Sequence, residues 1–382
     1  MARQKLPVGV YASGRSHFQF RITLPKGPDG KRRQEVRGGF LTADDAYDAR
    51  RKRLAELGLG DEIPDDRITV GVWLERFLES HALSVKPNST YVYRSHARHL
   101  TPLADVRLRD LTVARVQRWL DDLRRRHSAN VARAARTLLV MALNEAVRQR
   151  LIPANVASLS RSPRHTATPR VILHNHDDDR QIDRFVTAAG DDELGAAWLL
   201  MLLCQLRPGE VRGLRWSDLD LDRGIVHIDV TGTRDESGRN IIGSDPKTAS
   251  SRRPVSLPDR CVRLLREHRT RQHALRLKAP PGTWHDQGLV FPNGSGGVLA
   301  HQVLARRLAR LCDAADVPVI TPHSLRSSGA TWLRSLGEDA EVLQRRLGHT
   351  SVATTLGMYS LPRPNESRQT SERLERELRR EG

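Results

Sequence analysis

The chain has 382 residues, which is long for one ordinary domain and predicts two or three. It is 38% hydrophobic with a mean hydropathy of −0.52, enough for real cores under much polar surface. Its formal charge is +18, from 63 Lys plus Arg against 45 Asp plus Glu, and that excess favours a polyanionic partner, because each contacted phosphate releases condensed counterions.

In chain order, the opening "MARQKLPVGV" lacks the apolar core of a signal peptide. Residues 1–62 read as a small module. "VGVYASG" and "SHFQFRITL" alternate as strands do, "GPDG" reads as a hairpin turn, and "RRQEVRGGF" gives a third strand. A helix then begins near Thr42, with capping residues at the head of "TADDAYDARRKRLAEL". The first 40 residues hold nine Lys or Arg against Asp29 and Glu35, so the sheet either enters a nucleic-acid groove or is a basic hairpin without a partner.

After "GLGDEIPDDR", residues 66–157 read as an all-α domain. In "VARVQRWLDDLRRR", Val113, Val116, Trp119, Leu120 and Leu123 share one face, and Ser128 is placed to cap the next helix. Its basic faces suit either duplex backbone or solvent. Residues 158–171, "SLSRSPRHTATPRV", have the Ser, Thr and Pro content of an extended linker.

Residues 172–382 form a larger mixed domain. His174, His176 and Asp177 to Asp179 invite a metal assignment, but acids at a helix start complement its dipole and cap its N–H groups, so no metal is expected there. The longest apolar run, "LGAAWLLMLLC" at 194–204, is about half of a membrane span. Cys204, Cys261 and Cys312 have neither disulfide-framework nor metal-ligand spacing and read as buried thiols in a reducing cytoplasm.

Four places in this domain suit a phosphate. Arg207 emerges directly from the apolar run, where a guanidinium is costly unless it meets an anion, and Glu210 either orients it or forms a merely internal pair with it. Lys247 lies near a turn in "DPKTASSRRPVSL", among strands around a long loop. It is one of seven lysines in an arginine-dominated chain, and lysine can transfer a proton where arginine cannot. "TPHSLRSSGATWLRSLG" puts His323 and Arg326 one helical turn apart on the same face. The fourth place is "LGHTSVATTLGMYS", with His349 and Tyr359.

The ordered set Arg207, Lys247, His323, Arg326, His349 and Tyr359, carried by "LRPGEVRGLRWSDLDLD", "PKTASSRRPVSLP", "TPHSLRSSGATWL" and "LGHTSVATTLGMYS", resembles the tyrosine recombinases of the phage-integrase type. The resemblance implies a small β-sheet-plus-helix arm-binding module, an all-α (SAM-like) core-binding domain and a mixed, mainly-α (α+β) catalytic domain. It makes Tyr359 the nucleophile, Arg207 and Arg326 a phosphate clamp, and Lys247 the acid for the leaving 5′ oxygen. It gives His323 a part in proton transfer, His349 a hydrogen bond to a phosphate oxygen, and Glu210 a supporting place. Many relatives have glycine where this chain has Gln205, which puts the local backbone in question.

The implied activity is site-specific recombination of a mobile element through a 3′-phosphotyrosine, by a homotetramer on double-stranded DNA with core and arm attachment sites. An excision factor and a DNA-bending host protein are admitted as accessory partners. The expected setting is the bacterial cytoplasm, at the nucleoid and away from membranes. No cofactor is expected: two arginines and a histidine can stabilise the charge without a metal, the phosphotyrosine retains the bond energy, and no G-x-x-x-x-G-K-[ST] loop for ATP is present. A catalytically inactive DNA-binding relative and a type IB topoisomerase-like enzyme are the alternatives. The tail "QTSERLERELRRE" reads as a short amphipathic helix that docks on a neighbouring subunit, or as a frayed terminus.

Overall fold

In the computed structural model of the chain, the alternating N-terminal segments form an antiparallel sheet of β1 (Val10–Ala12), β2 (Phe18–Leu24) and β3 (Arg33–Phe40), in that order. The structure describes residues 6–7, 9–13, 17–24, 33–57, 68–163, 170–176, 179–243 and 252–348. The turn read at "GPDG" lies outside the described residues. Helix α1 (Ala43–Glu56) starts where the Thr42 hydroxyl accepts the Asp45 N–H at 3.0 Å. It covers the face of β2 that carries Phe20 and Ile22, with Leu54 from the helix completing a small core. Because side chains alternate along a strand, Arg21 and Thr23 stand on the other face, opposite Val36 and Gln34 of β3.

Four helices follow: α2 (Val70–Ala82), α3 (Pro87–Ala97), α4 (Val113–Arg126) and α5 (Ala129–Arg148). The apolar stripe expected on α4 is buried at Val116, Trp119, Leu120 and Leu123, with Val113 half-buried. Thr112 caps α4, and Ser128 caps α5 by accepting the Val131 N–H at 3.3 Å. Buried indoles find acceptors, as a polar N–H in a core must: Trp73 donates to the Ala142 carbonyl and Trp119 to that of His99, each at 2.8 Å. Arg136 ties down the chain after α5 by donating to Ser160 Oγ at 3.0 Å and to the Ser158 and Ser160 carbonyls.

The chain divides into two compact units, the first made of residues 1–79 and 96–164, the second of residues 80–95 and everything from 165 onward. The second unit begins with the short hairpin β4 (Asn175–His176) and β5 (Asp179–Arg180), then α6 (Gln181–Asp191). Here the helix cap differs from the sequence expectation. The side chain of Asn175 accepts the Ile182 N–H at 2.9 Å, because the hairpin brings it back over the helix start. Asp179 is engaged by the Gln181 side chain at 2.7 Å, while Asp177 and Asp178 lie outside the described residues.

Helix α7 (Gly195–Leu203) is apolar all round and buried at every residue from Gly195 to Leu202, the pattern of a central core helix. After it come α8 (Pro208–Gly213), β6 (Leu219–Asp220), β7 (Ile225–Ile228), β8 (Thr231–Arg234), β9 (Asn240–Gly243) and β10 (Arg253–Ser256). Strands β10, β7 and β6 make one antiparallel sheet in that order, and β8 with β9 a separate hairpin. Helices α9 (Asp259–Lys278), α10 (His301–Ala314), α11 (Pro322–Ser335) and α12 (Ala340–Leu347) follow among the described residues of the unit. All three cysteines are buried thiols, and no described helix is long and apolar enough to cross a membrane.

The packing of α11 on α7 sets the position of everything discussed below. At Gly329 an added Cβ would lie 1.7 Å from the Leu202 carbonyl oxygen, so the two helix backbones touch where only hydrogen fits. Gly329→Ala is expected to destabilise the protein by roughly 1–3 kcal/mol through overpacking. Urea unfolding should show a lower midpoint with an unchanged slope, because the surface exposed on unfolding is the same.

Candidate active site

The core helix α7 ends at Cys204, and the chain turns at Gln205 with φ 52, a left-handed conformation that ordinarily favours glycine. A glycine, which the resemblance to the phage-integrase type leads one to expect here, would adopt this conformation without cost. Glutamine is tolerated because its side chain repairs the helix end: Nε2 donates to the Leu202 and Leu203 carbonyls at 2.9 and 2.8 Å. Leu206 is fully buried, and Arg207 then emerges as the residue that caps α8.

Glu210, in the first turn of α8, carries the only carboxylate in this cluster among the described residues, and it is almost completely buried. One oxygen accepts the Arg207 backbone N–H at 2.7 Å and the other accepts Arg207 Nη1 at 2.8 Å. Arg326, one turn into α11 behind the Thr321 cap, brings its Nη1 to 3.8 Å from Oε2. Arg253, on β10, lays its two terminal nitrogens against the two carboxylate oxygens at 3.2 Å each. Burial alone would raise the Glu210 carboxyl, but the charge and hydrogen bonds of Arg253, then the charges of Arg326 and Arg207, outweigh it and hold the group ionised below the ordinary carboxylate range.

The same three arginines grip the end of α12. Its last carbonyls lack helical partners, and Gly348 closes the helix in the left-handed conformation at φ 58. Arg253 Nε donates to the Arg346 carbonyl at 2.8 Å, Arg326 Nη2 to Leu347 at 2.7 Å, and Arg207 Nη2 to Gly348 at 2.9 Å. Arg326 also donates through Nη1 to the Gln205 carbonyl. From its own side, Arg346 reaches back to Gln205 Oε1 at 3.1 Å and to the Leu203 carbonyl at 3.2 Å.

Exposure separates these cations. The Arg207 side chain is 32% exposed, whereas Arg253 is 8% and Arg326 3% exposed, so Arg207 presents the most open edge of the cluster. His323 lies one turn before Arg326 with its outer edge in solvent. Partial burial, then the positive charges of Arg170, Arg326 and Arg207, push its imidazole below the ordinary histidine value. That direction favours the neutral imidazole, the form that can take up a proton. Arg170 holds the next turn through Ser327 Oγ at 3.0 Å.

Of the residues expected from the sequence, Arg207, Glu210, His323 and Arg326 come together. Lys247, His349 and Tyr359, like the C-terminal tail, lie outside the described residues. Arg253 was missed. In "SRRPVS" it resembles any other surface arginine, although the two-residue period of a strand does put it on the face of buried Val255 and leaves Arg252 exposed. Among the described residues, no group of three or more His, Cys, Asp or Glu side chains is arranged to hold a metal ion.

Residues 178–366, which include this cluster, match the profile described as the phage integrase family. A tyrosine recombinase XerC-like protein of Caldanaerobacter subterraneus subsp. tengcongensis is 24% identical, over 95% of this chain and 96% of its own. An integrase of Streptomyces ambofaciens is 28% identical over 76% of this chain and 74% of its own. In fold, the chain is similar to the Tn1549 transposon integrase solved with a circular intermediate DNA (TM-score 0.64, 19% identity, 80% of this chain and 99% of that one). It is also similar to the lambda integrase solved as a tetramer on a Holliday junction (TM-score 0.56, 20% identity, 91% and 97%). The chain belongs to the phage integrase family of tyrosine recombinases, enzymes that cleave and rejoin DNA in site-specific recombination.

Removing the Glu210 charge should expose what it holds together. Glu210→Gln is expected to cost roughly 3–5 kcal/mol at neutral pH, since it strands buried guanidinium groups without their counter-ion. A carboxyl held low in the folded state stabilises above its unfolded value, and that contribution is lost as pH falls through the folded value. The gap between wild type and variant should therefore narrow in acid, as read from urea midpoints across pH.

Proposed function

We propose that Tyr359 attacks a DNA phosphodiester, and that Arg207, Arg326 and His349 neutralise the charge gathering on the non-bridging oxygens. The observation that supports this best is the convergence of Arg207, Arg326 and His323 around buried Glu210, with the α12 end that leads into His349 held against the same guanidinium groups. Both clamp arginines already donate to oxygen atoms, the kind of acceptor that a phosphate presents, and guanidinium suits that role without a metal.

In the proposed step the Tyr359 oxygen forms a bond to phosphorus as the bond to the 5′ oxygen breaks. The phenolic proton passes to the neutral His323 imidazole, and Lys247 supplies a proton to the departing 5′ oxygen. The product is a 3′-phosphotyrosine and a free 5′ hydroxyl. The same hydroxyl group on another strand reverses the step, so no external energy source is needed. Four copies acting on two duplex sites, in the cytoplasm, fit the exchange of strands between a mobile element and its target.

The domains divide the work in this proposal. Residues 66–157 and 172–382 hold the core site, joined by a linker at 158–171, and residues 1–62 bind the distal arm sites. The open face of the first sheet, with Arg21 and Thr23 beside Gln34, offers donors and acceptors to base edges. Excision factors and DNA-bending proteins would act at the same arms.

Two outcomes test the reading. On a nicked suicide duplex, wild type is expected to form a covalent protein–DNA adduct on a denaturing gel, and Tyr359→Phe none; an adduct that persists in the variant removes Tyr359 as nucleophile. Deleting residues 1–62 is expected to weaken arm-site binding in a gel-shift assay while core-site cleavage continues; undiminished arm binding removes that role from the module.

A further inference from the structure

Arg253 is not among the residues that the recombinase pattern assigns to chemistry, yet it contacts both Glu210 oxygens and the end of α12. It enters from β10, at the edge of the sheet β10–β7–β6, and is paired in register with Ile228. Its side chain is 8% exposed, so it offers no open face to a ligand. Its two terminal nitrogens cover both oxygens of Glu210 at 3.2 Å. Its third nitrogen, Nε, donates to the Arg346 carbonyl at 2.8 Å in the last turn of α12. One guanidinium thus joins the carboxylate that orients Arg207 to the helix end from which the chain continues to His349.

Resting on the cleavage reading above, we propose that Arg253 is a positioning residue for strand cleavage, fixing the Glu210 carboxylate between Arg207 and Arg326 and tying the end of α12 to it. The argument is geometric. Arg207 holds both carboxylate oxygens from within the same helix start, and Arg326 approaches one oxygen only to 3.8 Å, so without a further contact Glu210 and the Arg207 side chain can shift together. A fork laid across both oxygens removes that freedom, since its plane matches the plane of the carboxylate. Each swing of Glu210 would carry Arg207 with it, through two hydrogen bonds of 2.7 and 2.8 Å.

The contact to Arg346 extends this control to the chain ahead. The carbonyls of Arg346, Leu347 and Gly348 are taken in succession by Arg253, Arg326 and Arg207. Arg253 is the member of the three that holds the helix end from the sheet, where β10 is anchored by buried Val255 and by pairing with β7. Lysine in its place keeps the charge but presents a single nitrogen, which cannot bridge the two carboxylate oxygens and reach the Arg346 carbonyl in this geometry.

The test uses the full chain and a duplex that wild type selects from a random-sequence pool by covalent capture, then nicked so that cleavage cannot reverse. Arg253→Lys is expected to lower the single-turnover rate of adduct formation about 10²-fold, the size of effect that a small misplacement of reacting groups produces. Affinity for the same duplex, by fluorescence anisotropy, is expected to stay at the wild-type value, and the urea midpoint to fall while leaving the variant folded under the assay conditions, which separates positioning from binding and from folding. In a Glu210→Gln background, Arg253→Lys is expected to add much less than its loss alone, because most of its effect passes through the same carboxylate.

Wild-type cleavage by Arg253→Lys overturns the proposal, as do rate and affinity falling in parallel or losses that multiply in the double variant. If Arg253→Lys does not fold, Arg253→Gln carries the same measurements; failure of both to fold assigns Arg253 to stability alone and overturns it. If wild type captures no duplex, the cleavage reading itself fails, and the positioning role with it.

Discussion

The second unit is organised around one buried negative charge. Glu210 sits where water cannot solvate it, and taking a carboxylate out of water costs several kcal/mol unless cations replace the lost hydration. Three guanidinium groups do so, and each arrives from a different element: Arg207 from the turn after α7, Arg253 from β10 and Arg326 from α11. The carboxylate therefore fixes the relative placement of a helix start, a strand and a helix. The arginines repel one another, and only their shared acid makes that crowding stable.

The end of α12 meets the same electrostatic requirement. A helix C-terminus presents free carbonyls with partial negative charge, so it is drawn to a cationic cluster. Here three successive carbonyls are satisfied by three arginines, and Arg346 returns the contact through Gln205 and Leu203. Oxygen ligands on protein backbone and the proposed oxygen ligands on a phosphate thus call on the same donors. In the chain, His349 follows this docked end directly.

Gln205 shows how a departure from a family pattern is accommodated. A left-handed backbone suits glycine, and a side chain there is costly without compensation. The Gln205 amide caps α7, its Oε1 receives Arg346, and its backbone carbonyl receives Arg326. The turn keeps its shape and gains a link to α12. It also places Arg207 as the residue that caps α8, where its backbone N–H donates to Glu210.

Much of this was legible from local pattern. The alternating strands of the first module, the α4 stripe, the Ser128 cap and the buried α7 follow from periods and capping rules that involve only near neighbours. Arg207 with Glu210 and His323 with Arg326 could be nominated for the same reason, each pair lying within one helical turn. The cap of α6 was not legible, because Asn175 reaches the helix through a hairpin. Nor was Arg253: in a chain with 63 Lys and Arg, residue type marks no arginine out, and Arg252 beside it is an equal candidate. Sequence alone determined the local elements, the charge and the order of the reactive groups. Only the tertiary structure decided which arginines share Glu210 and which carbonyls they hold, because burial and charge pairing depend on elements brought together from distant parts of the chain.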